Sequence, residues 1–210
     1  MKLGQHFFDE FDKVNEIGLI CYEEAHCDFL FGKLFRKEIL DAKSLFQNIR
    51  NAVKMSITAS PRGGDPDFMA KLSGLSEDYY LSKSGLFKEN VTLKVHTASS
   101  NKLQELVKVL GNEEKTIIFC HKIETCNQIK TLLEIELMRN FYIYTSKLSS
   151  IDKKQVYEDF QKSEKGILIC TKSQAFGVNY SNIKSIVIWE LPDSLEILYQ
   201  MTGRAARQRS

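Results

Sequence analysis

The chain has 210 residues, enough for one large domain or two small ones. Hydrophobic residues make up 43% and charged residues 27%, values typical of globular proteins, and no apolar run is long enough to span a bilayer. The formal net charge of +2 is too small to indicate a nucleic-acid partner by itself, so any basic surface would have to be local.

Cysteine usage indicates a reducing compartment. The five cysteines are scattered through apolar segments, which predicts free buried thiols rather than a disulfide framework. They are Cys21, Cys27, Cys120, Cys126 and Cys170. No Cys-x-x-Cys pair occurs, and the only local cluster with metal-ligand residue types is Cys120, His121 and Cys126, so a zinc site is not predicted. The N-terminus lacks the apolar core of a signal peptide, and we expect an intracellular location, nuclear if the source is eukaryotic.

Short apolar runs and one helical periodicity organise the first part of the chain. Ile17–Tyr22 has the length of a buried strand, residues 38–50 carry apolar side chains at helical spacing, and Ala52–Thr58 is predicted to be a second strand. A helix is predicted to begin at Asp65-Pro66, with a cap followed by proline, and to end at Gly74.

From Val91 onward, strand and helix patterns alternate regularly, which predicts parallel sheets with helices on both faces. The five candidate strands are Val91–Val95, Thr116–Cys120, Phe141–Tyr144, Gly166–Cys170 and Ile183–Trp189. The intervening helices are predicted over 103–110, from 123 to near Asn140, after a capping box at Ser149-x-x-Asp152, and after a cap at Asp193-x-x-Glu196. The periodicity breaks between Tyr80 and Asn90, so we predict two domains, residues 1–85 and 86–210.

The last of these helices ends in Gln200-Met-Thr-Gly203-Arg204-Ala-Ala-Arg207. Arginine is always charged, and its planar fork of donors matches phosphate oxygens. Two arginines three residues apart therefore suit the stabilisation of charge on a phosphoryl group. The alternative is a basic helix terminus that faces solvent.

An acidic segment, Glu23-Glu24-Ala25-His26, directly follows the first predicted strand. One carboxylate at such a position can hold Mg²⁺ and the next can orient or deprotonate a water molecule. The alternative is a pair of solvated acids at a strand end. The aromatic segment Phe29–Arg36 comes next, and its rings and guanidinium can stack on unpaired bases, although phenylalanines are more often ordinary core residues.

In this order and spacing, the segments from about Glu16 to Arg207 resemble the RecQ-type DNA helicases of helicase superfamily 2. The resemblance implies an α/β fold of two RecA-like parallel-sheet lobes, the first incomplete and the second nearly complete but without its last strand. It also implies ATP and Mg²⁺ as cofactors and single-stranded or partly duplex DNA as partner, unwound in the 3′-to-5′ direction. Tyr199-Gln200 ahead of Gly203-Arg204 distinguishes the chain from DEAD-box RNA helicases, which usually carry His-Arg in place of Tyr-Gln.

The resemblance assigns roles residue by residue. Those implied to act in catalysis are Glu23, Glu24, His26, Gln200, Arg204 and Arg207, with Glu23 as the Mg²⁺ ligand. Those implied to lie near the nucleotide are Gly177, Asn179 and Gly203. Those implied to contact nucleic acid are Phe31, Lys33, Phe35, Arg36, Thr58, Lys147 and Thr171. The chain departs from the family where Glu23 replaces aspartate, Phe31 replaces tryptophan and Ala175 replaces glycine.

One family feature is missing from the sequence: no Gly-Lys-Ser or Gly-Lys-Thr occurs, so the chain has no phosphate-binding P-loop. We therefore expect the chain alone to hydrolyse ATP negligibly. Two strands seldom form an independently stable layer, so a protein partner or a missing N-terminal segment is expected to complete the first lobe. The alternative to a helicase motor is a non-catalytic remnant that binds nucleic acid or a protein.

Overall fold

The computed structural model describes residues 10, 17–23, 49, 51–58, 66–75, 78–82, 90–97, 101–110, 114–171 and 179–205. Among the predicted features, the aromatic segment Phe29–Arg36 lies outside the described residues, as does the predicted helix over 38–50 apart from residue 49. The chain divides into two compact units, Met1–Phe87 and Lys88–Ser210. None of the helices in the described ranges is long and apolar enough to cross a membrane.

The first unit contains a parallel pair of strands. β1 is Leu19–Tyr22 and β2 is Val53–Ser56, with Tyr22 opposite Ser56 at the carboxyl ends. The amide of Ile57 extends the ladder by donating to the Tyr22 carbonyl at 2.7 Å. Both strands fall within their predicted ranges, and the polar residues that follow them lie at the same edge of the sheet because the strands are parallel.

Helix α1, Pro66–Ser73, follows in the same unit and confirms the predicted start and stop. Gly74 leaves the helix with φ of 68°, a left-handed conformation that favours glycine. Two backbone bonds close the end: Gly74 N–H donates to the Lys71 carbonyl at 3.1 Å and Leu75 N–H to the Ala70 carbonyl at 2.9 Å. This is the Schellman arrangement, which satisfies carbonyls that the helix itself leaves open.

The second unit alternates helices and strands. Its elements are α2 (Lys102–Val109), β3 (Thr116–Cys120), α3 (Ile123–Glu136), β4 (Phe141–Tyr144), α4 (Ser150–Lys162), β5 (Ile167–Thr171), β6 (Ser185–Ile188) and α5 (Leu195–Thr202). The four strands form one sheet in the order β4-β5-β3-β6, and every neighbouring pair is parallel. The α/β class with parallel sheets is therefore as predicted.

Each face of this sheet carries its own hydrophobic core. Alternate residues of the central strands point to opposite faces, so Ile117 and Ile118 lie in different cores. One core joins the sheet to α4 and α5 through Phe160, Ile197 and Met201. The other joins it to α2 and α3 through residues that include Leu106, Leu110, Cys126, Ile129 and Leu133. Helices on both faces explain why β3 is buried along its whole length.

Gly166 enters β5 at a tightly packed point. A Cβ atom placed on it would lie 2.6 Å from Ser163 Oγ and 2.7 Å from Tyr142 Cε2. Its carbonyl accepts a hydrogen bond from the Thr116 amide at 3.1 Å, which starts the pairing of β5 with β3. Only glycine therefore fits here without displacing a side chain or the start of the ladder.

Two predicted elements differ in the structure. Val91–Val95 does not form a strand: residues 91–97 have no regular structure, and Leu93 and Val95 are 71% and 97% exposed. Its apolar alternation lacks a neighbouring strand within the described residues, and a strand needs a ladder partner. The helix predicted to end near Asn140 ends at Glu136 instead.

The early end of α3 has a physical cause. Leu137 has already left helical geometry, and its amide makes the last helical bond, to the Leu133 carbonyl at 2.8 Å. Arg139 then binds the carbonyls of Lys165, at 2.7 and 2.9 Å, and Glu114, which directs the chain into β4.

Two of the predicted caps, at Ser149 and Asp193, lie within the described residues. At α4, Ser149 Oγ accepts from the Asp152 amide at 3.1 Å and donates to the Asp152 carboxylate at 2.7 Å, so the predicted pair forms. At α5, the prediction of Asp193 was wrong: Ser194 is the cap, and its Oγ accepts from the Ile197 amide at 3.3 Å. The helix begins at Leu195, and the residue directly before the first helical one is placed to cap.

Candidate functional site

The carboxyl ends of the four strands lie along one edge of the second unit's sheet, where ligands bind in open parallel sheets. Residues after β3 and β6 meet there. The His121 backbone N–H donates to Glu190 Oε2 at 3.1 Å, and the Trp189 N–H donates to the Phe119 carbonyl at 2.9 Å. Glu190 thus places a carboxylate at the end of β3. Sequence reasoning missed it, although an acidic residue just after a buried strand was a usable signal.

Lys102, the first residue of α2, reaches the same edge. Its ammonium donates to the Trp189 carbonyl and lies 4.0 Å from the centroid of the Trp189 ring. A cation over an aromatic face is attracted by the ring's quadrupole. The contact fixes the start of α2 against the end of β6, and no sequence pattern had indicated it.

Three thiols are buried behind this edge. Cys120, Cys126 and Cys170 are free cysteines with 1% exposure or less. A hydrogen bond with Cys126, together with burial, raises the pKa of Cys120, and burial raises the pKa of Cys170. The same hydrogen bond lowers the pKa of Cys126, whereas Cys120 and Cys170 are held protonated, and protonated thiols are poor nucleophiles and poor metal ligands. Within the described ranges, no three histidine, cysteine, aspartate or glutamate side chains are placed to hold a metal ion.

Helix α5 places Arg204 in a buried position. Ile197 and Met201 anchor the helix in the core, and the amide of Gly203 donates to the Tyr199 carbonyl at 2.8 Å as the helix ends. Arg204 follows one residue later and is only 7% exposed, while Gln200 and Gly203 are half-buried. The alternative prediction, a basic helix terminus that faces solvent, is therefore wrong for Arg204. A buried guanidinium requires charge or hydrogen-bond partners, so Arg204 is held by its surroundings, and its catalytic role stays a prediction.

Tyr180 is a buried aromatic residue in the core on which α5 packs. It is 2% exposed, and its ring centroid lies 5.3 Å from that of Phe160 and 5.5 Å from that of Tyr157. Burial raises the pKa of the Tyr180 hydroxyl, and the positive charge of Arg204 acts in the opposite direction. The residue next to the predicted nucleotide-binding residue Asn179 therefore shares a core with Ile197 and Met201 of α5.

Asn179 itself is exposed, but its backbone is held by α4. Its carbonyl accepts from the Tyr157 hydroxyl at 3.0 Å and from Gln161 Nε2 at 3.5 Å. The amide of the next but one residue, Ser181, donates to Gln161 Oε1 at 3.1 Å. Sequence reasoning missed Tyr157 and Gln161 because polar contacts between distant segments leave no local pattern.

The predicted nucleic-acid contacts of this unit lie at two strand ends. Thr171 is the last residue of β5, directly opposite Cys120 of β3, and is half-buried. Lys147 is exposed in the turn between β4 and α4. Both therefore lie on the carboxyl side of the sheet, as their predicted roles require, but their contacts with any ligand stay predictions.

In the first unit, the structure describes two of the predicted site residues. Glu23 is exposed in the turn after β1, and Thr58 is half-buried two residues after β2 ends. Because β1 and β2 are parallel, both residues follow carboxyl strand ends at one edge of that sheet. The other predicted site residues lie outside the described part of the chain: Glu24, His26, Phe31, Lys33, Phe35, Arg36, Gly177 and Arg207.

Comparison with known proteins identifies the second unit. Residues 101–209, just over half of the chain, match the family described as the helicase conserved C-terminal domain. The chain belongs to this helicase family. The match runs from the residue before α2 to just beyond Arg207, so it includes the whole four-stranded sheet and the buried arginine.

Relatives extend the likeness into the first unit and confirm the resemblance to RecQ-type helicases. The ATP-dependent DNA helicase RecQ of Pasteurella multocida is 27% identical over 199 residues, which cover 91% of this chain and 30% of that protein. The ATP-dependent DNA helicase Q5 of Mus musculus is 26% identical, covering 92% of this chain and 21% of that protein. The chain spans about a third or less of the length of these relatives.

A solved structure shows the same fold. The structure of S. cerevisiae Dbp5 bound to RNA and ADP BeF3 matches with a TM-score of 0.70 at 16% identity, covering 92% of this chain and 51% of that one. The helicase family member therefore has the RecA-like α/β fold that the sequence predicted.

Proposed function

We propose that the chain is part of the motor of a RecQ-type, ATP-dependent DNA helicase that unwinds duplex DNA in the 3′-to-5′ direction. The observation that carries the proposal is the buried Arg204, held where α5 ends in a unit that belongs to the helicase C-terminal family. A guanidinium withdrawn from water interacts strongly with phosphate, because competing hydration is lost. The relatives named as ATP-dependent DNA helicases support DNA as the partner.

The residues of this chain match the chemistry of Mg²⁺-ATP only in part. Mg²⁺ prefers oxygen ligands, and the exposed Glu23 carboxylate at the end of β1 can supply one. The phosphates, however, need a cradle of backbone amides with a lysine, and the sequence contains no Gly-Lys-Ser or Gly-Lys-Thr. The chain alone does not form a complete nucleotide site, so we expect it to bind nucleic acid without measurable ATP turnover.

The second candidate function is a non-catalytic helicase remnant that binds nucleic acid or a protein. The missing Gly-Lys-Ser/Thr sequence favours it for this chain, whereas the buried Arg204 favours the motor. The two candidates differ in what a first lobe with a P-loop, supplied as a separate polypeptide, would do. A motor part would gain ATP turnover on such addition, and a remnant would not.

The first test is steady-state ATP hydrolysis by the purified chain, with and without a single-stranded DNA 20-mer, beside a Glu24→Gln variant. We expect no turnover above the level of the variant. Turnover that rises with DNA and is lost in Glu24→Gln would overturn the expected inactivity and make the chain a working motor.

The second test measures binding to fluorescent single-stranded DNA and RNA 20-mers of the same sequence by anisotropy at several salt concentrations. If Lys147 contacts a phosphate, Lys147→Gln lowers the slope of log Kd against log salt by about 0.7. Lys108→Gln is the matched control, because Lys108 is exposed on α2 and paired with Glu105 at 2.8 Å. Tighter binding to RNA than to DNA would contradict the choice of DNA.

A further inference from the structure

Helix α4 holds the short segment Asn179–Ser181 from both ends. Upstream, the Asn179 carbonyl accepts hydrogen bonds from the Tyr157 hydroxyl and Gln161 Nε2, at 3.0 and 3.5 Å. Downstream, Gln161 Oε1 accepts from the Ser181 amide at 3.1 Å and from its hydroxyl at 3.4 Å. One glutamine side chain therefore bridges the two ends of a three-residue segment, using its donor on one end and its acceptor on the other.

The middle residue of this segment is fixed by packing. The Tyr180 ring is buried between Tyr157 and Phe160, and Phe160 is in turn covered by the ammonium of Lys115 at 4.7 Å from its ring centroid. Tyr157 thus acts twice, since its ring packs on Tyr180 while its hydroxyl holds Asn179. Nothing in this arrangement leaves the segment free to shift along α4.

The end of α5 packs on the core that contains Tyr180. Tyr180, Ile197 and Met201 belong to the same hydrophobic core, and the Arg204 amide donates to the Met201 carbonyl at 3.2 Å. The position of Arg204 therefore depends on a core to which the segment held by α4 contributes a large ring.

We propose that Tyr157 and Gln161 are positioning residues: by clamping Asn179–Ser181 onto α4, they seat Tyr180 in the core on which α5 packs, and so hold the end of α5 and the Arg204 guanidinium that follows it. The use of that guanidinium for phosphate rests on the proposed function, but the clamp itself does not. Tyr157 and Gln161 touch no ligand in this scheme and act only through Tyr180 and Arg204.

Two variants separate the parts of the clamp. Tyr157→Phe keeps the ring against Tyr180 and removes the bond to Asn179, and Gln161→Leu removes both ends of the bridge at similar volume. Tyr142→Phe is the matched control, because Tyr142 also packs on Phe160, with ring centroids 5.6 Å apart, and belongs to β4 rather than to the clamp. Gln161→Glu retains an acceptor for Ser181 and loses the donor for Asn179. In this variant, amide exchange should therefore stay slow only at the Ser181 end of the segment.

The direct readout is amide hydrogen exchange of the purified chain at residues 179–184. We expect exchange there to rise about three- to tenfold in Tyr157→Phe, as loss of one net hydrogen bond implies, and further in Gln161→Leu. The second readout is the Nε–Hε signal of Arg204 in a ¹⁵N correlation spectrum, assigned through Arg204→Lys. This signal should shift in both clamp variants and stay in place in Tyr142→Phe.

The outcomes divide as follows. Faster exchange with a shifted Arg204 signal supports the positioning role, even if the wild-type chain binds no oligonucleotide and the proposed function fails. An unchanged Arg204 signal in both clamp variants would overturn the proposal, whatever the exchange shows. Equal shifts in the clamp variants and in Tyr142→Phe would also overturn it, since the effect would then be general loosening of the core.

Discussion

Gly166 offers a sharp test of the packing at the start of β5. In Gly166→Ala the new methyl group would meet Tyr142 Cε2 at 2.7 Å and Ser163 Oγ at 2.6 Å. Ser163 can rotate its hydroxyl, but its Cβ would remain at 3.2 Å, and the Tyr142 ring is packed on Phe160. The alternative is to move the Gly166 backbone, which would strain its bond to Thr116.

We therefore expect Gly166→Ala to lower the free energy of unfolding by about 1–3 kcal/mol, the usual cost of overpacking. Reduced freedom of the unfolded chain would return about 0.4–1 kcal/mol. For a unit of this size, each 1 kcal/mol of net loss lowers the Tm by roughly 2–8 °C. The assay is thermal and urea unfolding followed by circular dichroism.

Gly18→Ala is the control, because a Cβ at Gly18 would have no atom within 4 Å. It carries the same change in chain entropy without a clash, so its Tm should be unchanged or slightly higher. A second variant, Tyr142→Val, removes the ring that the new methyl group would meet. In a double-mutant cycle, Gly166→Ala should reduce the free energy of unfolding by at least about 0.5 kcal/mol less in the Tyr142→Val background than in the wild type. If Gly166→Ala has the same Tm and the same urea midpoint as the wild type, or if the double-mutant cycle shows no coupling, the packing argument is refuted.

Three further predictions concern α5 and the carboxyl edge. The pKa of the Tyr180 hydroxyl is raised in the folded state. Its contribution to the free energy of unfolding is therefore fully present below about pH 10 and is lost as the pH rises above that value. In urea titrations between pH 8 and 11, Tyr180→Phe should reduce this loss of stability at alkaline pH. Ser194→Ala should cost about 1 kcal/mol through loss of the cap, and Asp193→Ala much less; equal effects would contradict the cap assignment. Lys102→Met should lower the free energy of unfolding by about 0.5–1 kcal/mol, measured by thermal unfolding, because the contact with the Trp189 ring is lost. An equal loss in the control variant Lys108→Met would contradict a stabilising role for that contact.

The parts of the fold that the sequence predicted are those dictated by local patterns. Thr116–Cys120 is a continuous apolar run, as a strand covered on both faces requires, and Gly74 ends α1 because only a left-handed residue completes the turn. Val91–Val95 has an equally apolar alternation but makes no strand, since a strand also depends on a neighbour that the pattern cannot specify.

The candidate site was likewise predictable from the sequence only in part. The type and order of its charged residues were visible in the sequence, but the burial of Arg204 was not, because it depends on the packing of α5 against the sheet. The contacts of Gln161 with Asn179 and Ser181 join residues about twenty positions apart and arise only when α4 lies on that face. Such contacts follow from tertiary structure, and no periodicity announces them.

The strand order has a consequence for synthesis of the chain. β3 is made before both of its neighbours: Thr116 pairs with Ile167 and with Ser185, which lie 51 and 69 positions later. At about 5–20 residues per second, the ribosome needs roughly 3–14 s to deliver the second neighbour. For roughly 2.5–10 s, until Ile167 is made, this strand of five apolar or small residues has no native partner on either side. To avoid aggregation during this time, the nascent chain must delay its collapse or be bound by a chaperone. Slow-codon pauses between β3 and β6 would lengthen the time in which it can aggregate.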